Sequence, residues 1–425
     1  MDVFQIEGPV RLAGHIDVNG SKNASLPIMA ATLLAPGRST LVGVPHLADI
    51  SVFNELIIQL GCQVERQADG LLTIDATKID NPVGPYDIVR KMRASVCILG
   101  PLLARCGRVE VSMPGGCAIG DRPIDLHLLG LRHLGAQIHL KNGYVIAEAP
   151  QGLKGASIFL GGPFGSTVLG TANVLMAATL AKGRTIIESA ACEPEVTDLA
   201  NCLNTMGARI SGIGSPRLTI EGVSHLHPVQ YRVIPDRIEA GTFMAAAAIT
   251  AGQVHIGHCR LDDMMAVVDR MRNMGITVES NGDGCTVAGV ERCQPTDITT
   301  QPYPGFPTDL QAQFMTLLAI ASGNSVVVEK IFPDRFMHVA ELNRMAANLR
   351  KEGSAVLVAG VQRLIAAPVM ASDLRASAAL VIAGLAAEGT TTVNRVYHID
   401  RGYERIEERL NRLGAKITRE EGGTV

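Results

Sequence analysis

LLAPGRSTLVGVPHLADISVFNELIIQLGCQVE, residues 33–65, reads as one structural unit. An apolar helix ends at Gly37 and a β-branched strand, STLVGV, follows. After a polar turn a second helix runs to Gly61, where another strand begins. Leu56, Ile57 and Leu60 carry the spacing of a helix face. Glycine at each helix end suits the left-handed cap that a side chain makes costly.

The same unit returns along the chain. Strands equivalent to STLVGV read RVEVSM, RTIIES, QVHIGH, SVVVEK and TTTVNR, preceded by Gly107, Gly183, Gly252, Gly323 and Gly389. From Gly37 onward the intervals are 70, 76, 69, 71 and 66 residues. Second helices ending at Gly135, Gly207, Gly275 and Gly414 read LGLRHLGAQIHL, NCLNTMGARIS, DRMRNMGITVE and ERLNRLGAKIT; Gly353 of NLRKEGSAVL is assigned the same place in the fifth unit. In LGLRHLGAQIHL, Ala136, Ile138 and Leu140 alternate like a strand. Helices alternating with short strands predict an α/β protein of six repeated units. Three units precede a break over Pro228–Asp236 and three follow it, so two similar domains are expected. The first helices, such as LPIMAATLLA, TFMAAAAIT and SAALVIAGLAA, are apolar all round and so expected to be buried.

Composition narrows the function. Among 425 residues, Lys and Arg number 38 against 41 Asp and Glu, a net charge of −3, and 47% are hydrophobic. That excludes a disordered chain. Aromatics are only 4% with no Trp, which with the neutral charge argues against nucleic-acid binding. No apolar run reaches the ~18 residues of a membrane span. MDVFQIEGPV at the start has neither the basic start nor the apolar core of a signal peptide, so a cytoplasmic protein is expected. Nine cysteines occur without a C-x-x-C, so no zinc site is expected, and Cys97 and Cys202 read as small buried hydrophobes.

Charges recur where the first helices begin: Lys22-Asn23, Arg93, Asp236-Arg237, Asp309 and Asp373-Leu374-Arg375. The third unit has instead a Gly/Ser/Thr turn, GPFGSTVLGT, residues 162–171. Helix N-termini hold anions through unpaired N–H groups, and adjacent cations strengthen the preference. Any one of these residues could be an ordinary helix cap; their recurrence points to a shared anion site between domains. PGGCAIGDRPIDLH, residues 114–127, is the other notable stretch. Its glycines exclude a helix interior, and Cys117 beside Arg122 suits an acid or a nucleophile. Two other motifs lack their context. His255-Ile256-Gly257-His258 occupies a repeat strand, and the 165–171 turn lacks the Lys of a phosphate-binding P-loop.

GSKNASLP (20–27), MRAS (92–95), PGGCAIGDRPIDLH, EPE (193–195), IPDRIEAGTF (234–243), FPTDLQAQF (306–314), DRFMHVAEL (334–342), SDLRASAAL (372–380) and YHIDRGYERIEERL (397–410) together carry a resemblance. From end to end the chain resembles the UDP-N-acetylglucosamine branch of the enolpyruvyl transferase family. The resemblance implies a two-domain inside-out α/β barrel of six βαβ-type units, with domains at 22–233 and at 1–21 plus 234–425. It implies transfer of enolpyruvate from phosphoenolpyruvate to the 3′-hydroxyl of UDP-N-acetylglucosamine, with no metal or other cofactor. Cys117 would protonate C3 and Asp309 would take the sugar hydroxyl proton. Lys22, Arg93, Arg122, Arg375 and Arg401 would hold phosphoenolpyruvate near Asp373, Lys22 and Arg401 sharing in catalysis. Asn23, Arg93, Arg122, Pro123, Ile124, Asp125, Leu126, Ser166, Gly170, Asp309 and Ile331 would hold the nucleotide sugar.

The chain departs from the family pattern in two places. Its 162–171 turn is one residue longer than usual and lacks a preceding Lys, and Cys192 stands where Arg is commoner. Two alternatives compete: an enzyme making 5-enolpyruvylshikimate 3-phosphate, and a silent paralogue that only binds the nucleotide sugar. KNASLP and Cys117 weigh against the first. The presence of Cys117, Asp309 and Arg401 weighs against the second.

Overall fold

The computed structural model describes residues 2–67, 70–114 and 123–421. These form two compact units, one of residues 20–114 and 123–234, the other of 2–19 and 235–421. Each unit has its own apolar core.

In the unit starting at residue 20, three four-stranded sheets share one plan. Arg38–Val42 pairs in parallel with Gln230–Arg232 and antiparallel with Leu72–Asp75, which pairs antiparallel with Gln63–Arg66. The other two sheets centre on Arg108–Ser112 with Tyr144–Glu148, and on Arg184–Glu188 with Arg217–Glu221. Inward residues alternate with outward ones, as Val109 and Val111 do between Arg108 and Glu110. The sheets are therefore mixed, each a parallel pair extended by an antiparallel hairpin.

The second unit repeats this plan around Gln253–Gly257 and Asn324–Val328. Its third sheet keeps this order of pairings, with Pro368–Met370 parallel to Gly389–Asn394, but replaces the hairpin with strands from opposite ends of the chain. Gly389–Asn394 pairs antiparallel with Val3–Gly8, which pairs antiparallel with Ile417–Glu420. The start of the chain thus supplies a central strand to a sheet otherwise made by its end.

Helices that are apolar all round lie buried. In one unit Lys22–Ala31 and Val168–Ala178 are buried at nearly every position, and the latter packs on Leu99–Cys106. In the other, Arg237–Ile249 and Gln311–Leu318 pack on Leu374–Ala386. Their starts are capped by Ser21, Thr167, Asp236 and Asp373, each accepting from a backbone N–H of the first turn. Asp236 and Asp373 therefore act as helix caps. Among the described residues, no helix is long and apolar enough to cross a membrane.

Most of the helix-ending glycines have positive φ, but three do not fit that role. Gly252 and Gly323 lie outside the positive-φ region; Ala251, at φ 48, takes the left-handed position before Gly252. Gly353 turns the hairpin between Asn348–Glu352 and Ala355–Ala359. The helix Met337–Arg344 ends instead through Ala346, at φ 64. A second device recurs at these ends. Asn204, Asn343 and Asn411 each clamp both backbone groups of the residue six positions on, Ile210, Leu349 and Ile417. Arg272 reaches Val278 O in the same way.

Candidate active site

Six apolar helix starts leave polar residues at the edges of the cores, and the expected site residues fall into two groups. Lys22, Asn23, Arg93, Pro123, Ile124, Asp125, Leu126, Ser166 and Gly170 belong to one unit, and Asp309, Ile331, Arg375 and Arg401 to the other. Cys117 and Arg122 lie outside the described residues.

Lys22 opens the first buried helix immediately after its Ser21 cap. Its Nζ is 2.7 Å from Asp49 Oδ2, with both side chains almost wholly buried. An ammonium can be desolvated there because a carboxylate is already in place. Asp49 is not among the residues expected at the site; it lies in the first turn of the helix Ala48–Gln59, two residues after Leu47. The turn Arg93–Ile98 packs against the Lys22 helix, which brings Arg93 to the same part of the unit.

GPFGSTVLGT folds as a small hairpin rather than an open turn. Gly161 pairs with Ser166 and Gly162 with Gly165, leaving Pro163 and Phe164 at the tip. Phe164 is exposed. Helix Val168–Ala178 follows, and the N–H of Gly170 is donated to Thr167 Oγ1 at 3.2 Å. That bond occupies the Gly170 N–H in capping. A Cβ built on Gly162 would stand 3.1 Å from Leu126 Cδ1, so the hairpin lies against the Pro123–Leu126 segment. Two of the expected nucleotide-binding stretches are thus adjacent.

In the second unit Asp309 lies in the short turn Thr308–Leu310, which leads into helix Gln311–Leu318. Its Oδ1 accepts from Arg335 Nη1 at 2.8 Å, and its Oδ2 accepts from Arg375 Nε at 3.3 Å. Arg335 also donates to Thr308 Oγ1 at 3.0 Å and lies 4.0 Å from Asp373. Burial opposes the charge of Arg335, but Asp309 and Asp373 outweigh it, and its pKa is raised. Burial likewise opposes Arg375; Tyr403 and Asp309 more than restore its charge, and its pKa is raised too. The Arg375 guanidinium lies 5.3 Å from the centre of the Tyr403 ring. Tyr403 Oη is bonded to Thr242 at 2.8 Å and accepts from Gln313 at 3.3 Å.

Ile331 is placed by Glu329, which is fully buried. Glu329 Oε1 accepts from the N–H groups of Ile331 and Phe332 and from Thr300, while Oε2 accepts from Thr308. One carboxylate therefore ties the Ile331 turn to the Asp309 turn. Arg401 stands two residues before Tyr403, and its charge helps burial hold His398 below its ordinary pKa. Arg335 lies in DRFMHVAEL, one of the family-like motifs, without an expected role. Its motif was the available signal; Glu329 had none, because only a long-range fold explains a buried carboxylate.

Among the described residues, no group of three His, Cys, Asp or Glu is arranged to hold a metal ion. The unit that starts at residue 20 offers a buried cation and backbone turns suited to a phosphate-bearing group; the other offers buried cations around a carboxylate held in a fixed direction.

These features coincide with one known fold. Residues 6–410 match the family model described as EPSP synthase (3-phosphoshikimate 1-carboxyvinyltransferase). The enolpyruvyl transferase NikO from Streptomyces tendae superposes with a TM-score of 0.89, covering 98% of each chain at 25% identity. An EPSP synthase from Acinetobacter baumannii superposes at 0.76, covering 99% of this chain and 100% of its own at 20% identity, which speaks for the fold alone. The chain belongs to this family of enolpyruvyl transferases.

Its branch of the family follows from its sequence relatives. The UDP-N-acetylglucosamine 1-carboxyvinyltransferase of Methylacidiphilum infernorum is 53% identical over 419 residues, 99% of both chains. That of Granulibacter bethesdensis is 52% identical over 423 residues, 99% of this chain and 100% of its own.

Proposed function

We infer that this enzyme transfers the enolpyruvyl group of phosphoenolpyruvate to the 3′-hydroxyl of UDP-N-acetylglucosamine and releases phosphate. The observation that carries the reading is identity of more than half, from end to end, to enzymes of that name. The geometry of Asp309 between two guanidiniums fits it.

The sugar hydroxyl attacks C2 of phosphoenolpyruvate while a proton reaches C3; loss of phosphate and of a C3 proton then completes an addition–elimination. Cys117 delivers the proton to C3. Asp309 takes the hydroxyl proton or orients the hydroxyl, its own direction set by Arg335 and Arg375. Lys22, Arg93, Arg122, Arg375 and Arg401 clamp the phosphate and carboxylate of the donor, and the buried, charged Arg335 joins them. Asn23, Arg93, Arg122, Pro123, Ile124, Asp125, Leu126, Ser166, Gly170, Asp309 and Ile331 line the nucleotide-sugar subsite. A dense set of cations is what two anionic substrates require when both leave water together.

Six four-stranded sheets, three in each compact unit, support a reading as six βαβ-type units closed into two inside-out barrels. In this reading residues 22–233 form the first domain, and 1–21 with 234–425 the second. The reaction stands at the first committed step of peptidoglycan synthesis, in the cytoplasm, and fosfomycin alkylates Cys117. Phosphate release tests the activity: it should require phosphoenolpyruvate and UDP-N-acetylglucosamine together, without added metal. Release with shikimate 3-phosphate in place of the UDP-sugar would overturn the acceptor.

A further inference from the structure

We propose that Asn173 is a positioning residue that locks together the three chain segments of the nucleotide-sugar subsite; the inference rests on the UDP-sugar reading above. Asn173 is fully buried in helix Val168–Ala178, with apolar residues on both sides. A buried amide is tolerated only when its groups are bonded. Here they are. Oδ1 accepts from Gly100 N at 2.8 Å, and Nδ2 donates to Val96 O at 2.9 Å. The same Nδ2 is 2.9 Å from His127 Nδ1.

The two backbone partners fix which way the amide faces. An N–H must meet its oxygen and a carbonyl must meet its nitrogen. His127 Nδ1 is therefore an acceptor, and the proton of the neutral ring sits on Nε2.

Each partner belongs to a different part of the subsite. Val96 lies in the turn that starts at Arg93, and Gly100 in the helix that continues it. His127 follows Asp125 and Leu126 in the first turn of its helix. Asn173 lies one turn beyond the Ser166–Gly170 stretch, on the same helix. A single side chain thus connects the segments of Arg93, of Pro123–Leu126 and of Ser166–Gly170. The backbones meet closely enough for this because of two glycines. A Cβ on Gly100 would stand 2.2 Å from Asn173 O, and one on Gly130 would stand 2.3 Å from Val174 Cγ2. Segments tied at one point keep their relative register, and recognition of an extended ligand depends on such register.

The test uses Asn173→Ala, His127→Phe and the double variant in the full-length enzyme. Affinity for UDP-N-acetylglucosamine is measured by calorimetry, and kcat and KM by phosphate release. Each single change should weaken UDP-sugar binding about tenfold, the fold-change of one lost buried hydrogen bond. The double variant should bind no more weakly than Asn173→Ala. At saturating substrates, kcat should stay within about threefold of wild type. Nitrogen NMR should show the Nε2–H tautomer of His127 in wild type, with this preference lost in Asn173→Ala. Unchanged UDP-sugar affinity in the variants, strict additivity, or a fall in kcat without a rise in KM overturns the proposal. If Asn173→Ala does not fold, His127→Phe, which keeps the ring and loses the acceptor, decides alone. Failure of wild type to bind the UDP-sugar would instead sink the subsite reading, and this inference with it.

Discussion

Arg335 Nη1 donates to Asp309 Oδ1 at 2.8 Å, while Arg375 approaches the other carboxylate oxygen at 3.3 Å. The two arginines come from segments 40 residues apart in sequence and straddle one carboxylate. Each guanidinium is nearly inaccessible to water, and Asp309 keeps a quarter of its side-chain surface. The carboxylate is thus the most exposed part of the cluster.

Asp309→Asn keeps the shape and removes the negative charge. Phosphate release should fall by about 10²–10⁴-fold, the range for a lost acid–base group. Turnover within a few-fold of wild type would remove Asp309 from proton transfer. Arg335→Lys should also lower phosphate release, since a single ammonium cannot bond Asp309 and Thr308 as Nη1 does and also place a second nitrogen 4.0 Å from Asp373 as Nη2 does.

Cys117→Ala should abolish turnover and spare UDP-sugar binding, because an acid is lost while the cations remain. Mass spectrometry after treatment with fosfomycin should find one adduct, on Cys117. Full turnover by the variant would end the proton-donor assignment.

The Lys22–Asp49 pair is buried on both sides. Removing one partner of such a pair leaves a charge without its counter-ion and costs about 3–5 kcal/mol. Asp49→Leu should therefore lower the melting temperature clearly. The double change Lys22→Met with Asp49→Leu should recover much of the loss, although it should remain inactive. Equal melting temperatures for wild type and Asp49→Leu would contradict the pairing.

His338 lies fully buried, and neither ring nitrogen has a hydrogen-bond partner among the described residues. Burial, with Arg335 adding to it, brings the ring down from 6.5 to about 4, against the opposing pull of Asp373. An unfolded chain then binds more protons than the folded one between these values. The contribution is whole above pH 6.5 and is lost as pH falls toward 4, up to about 3 kcal/mol. Denaturant unfolding across this window should show wild type losing more stability than His338→Phe. Parallel curves would contradict the shift.

Ala346 carries a left-handed backbone at the end of its helix, where Gly207, Gly275 and Gly414 do the same duty elsewhere. Ala346→Gly should raise stability by about 0.5–1 kcal/mol, because relief of the steric cost exceeds the added chain entropy. Gly275→Ala should lower it. The two measurements together check whether helix ends in this chain are set by backbone conformation.

Much of the local structure was legible in the residues themselves. β-branched runs such as RVEVS became strands, and glycines at 61, 135, 207, 275 and 414 took left-handed conformations after their helices. Gly353 misled because glycine also turns hairpins, and the sequence NRMAANL hides an alanine in the glycine's position. Of the candidate site residues that motifs pointed to, Asp309 and Arg375 do meet. Glu329, Asp49 and Asn173 were not legible. Each is a buried polar residue with partners that lie 21 to 77 positions away in sequence.

What the sequence determined by itself was therefore local and periodic. Hydrophobic spacing and helix-ending residues act over a few neighbours, so the same signals make the same element wherever they recur. The tertiary structure alone decided which carboxylate each buried cation would meet and which amide would join three segments. It also decided that Val3–Gly8 would complete a sheet with Gly389–Asn394. Those outcomes depend on desolvation: a buried polar group must find a partner at hydrogen-bond distance, and chain spacing does not say where that partner will be.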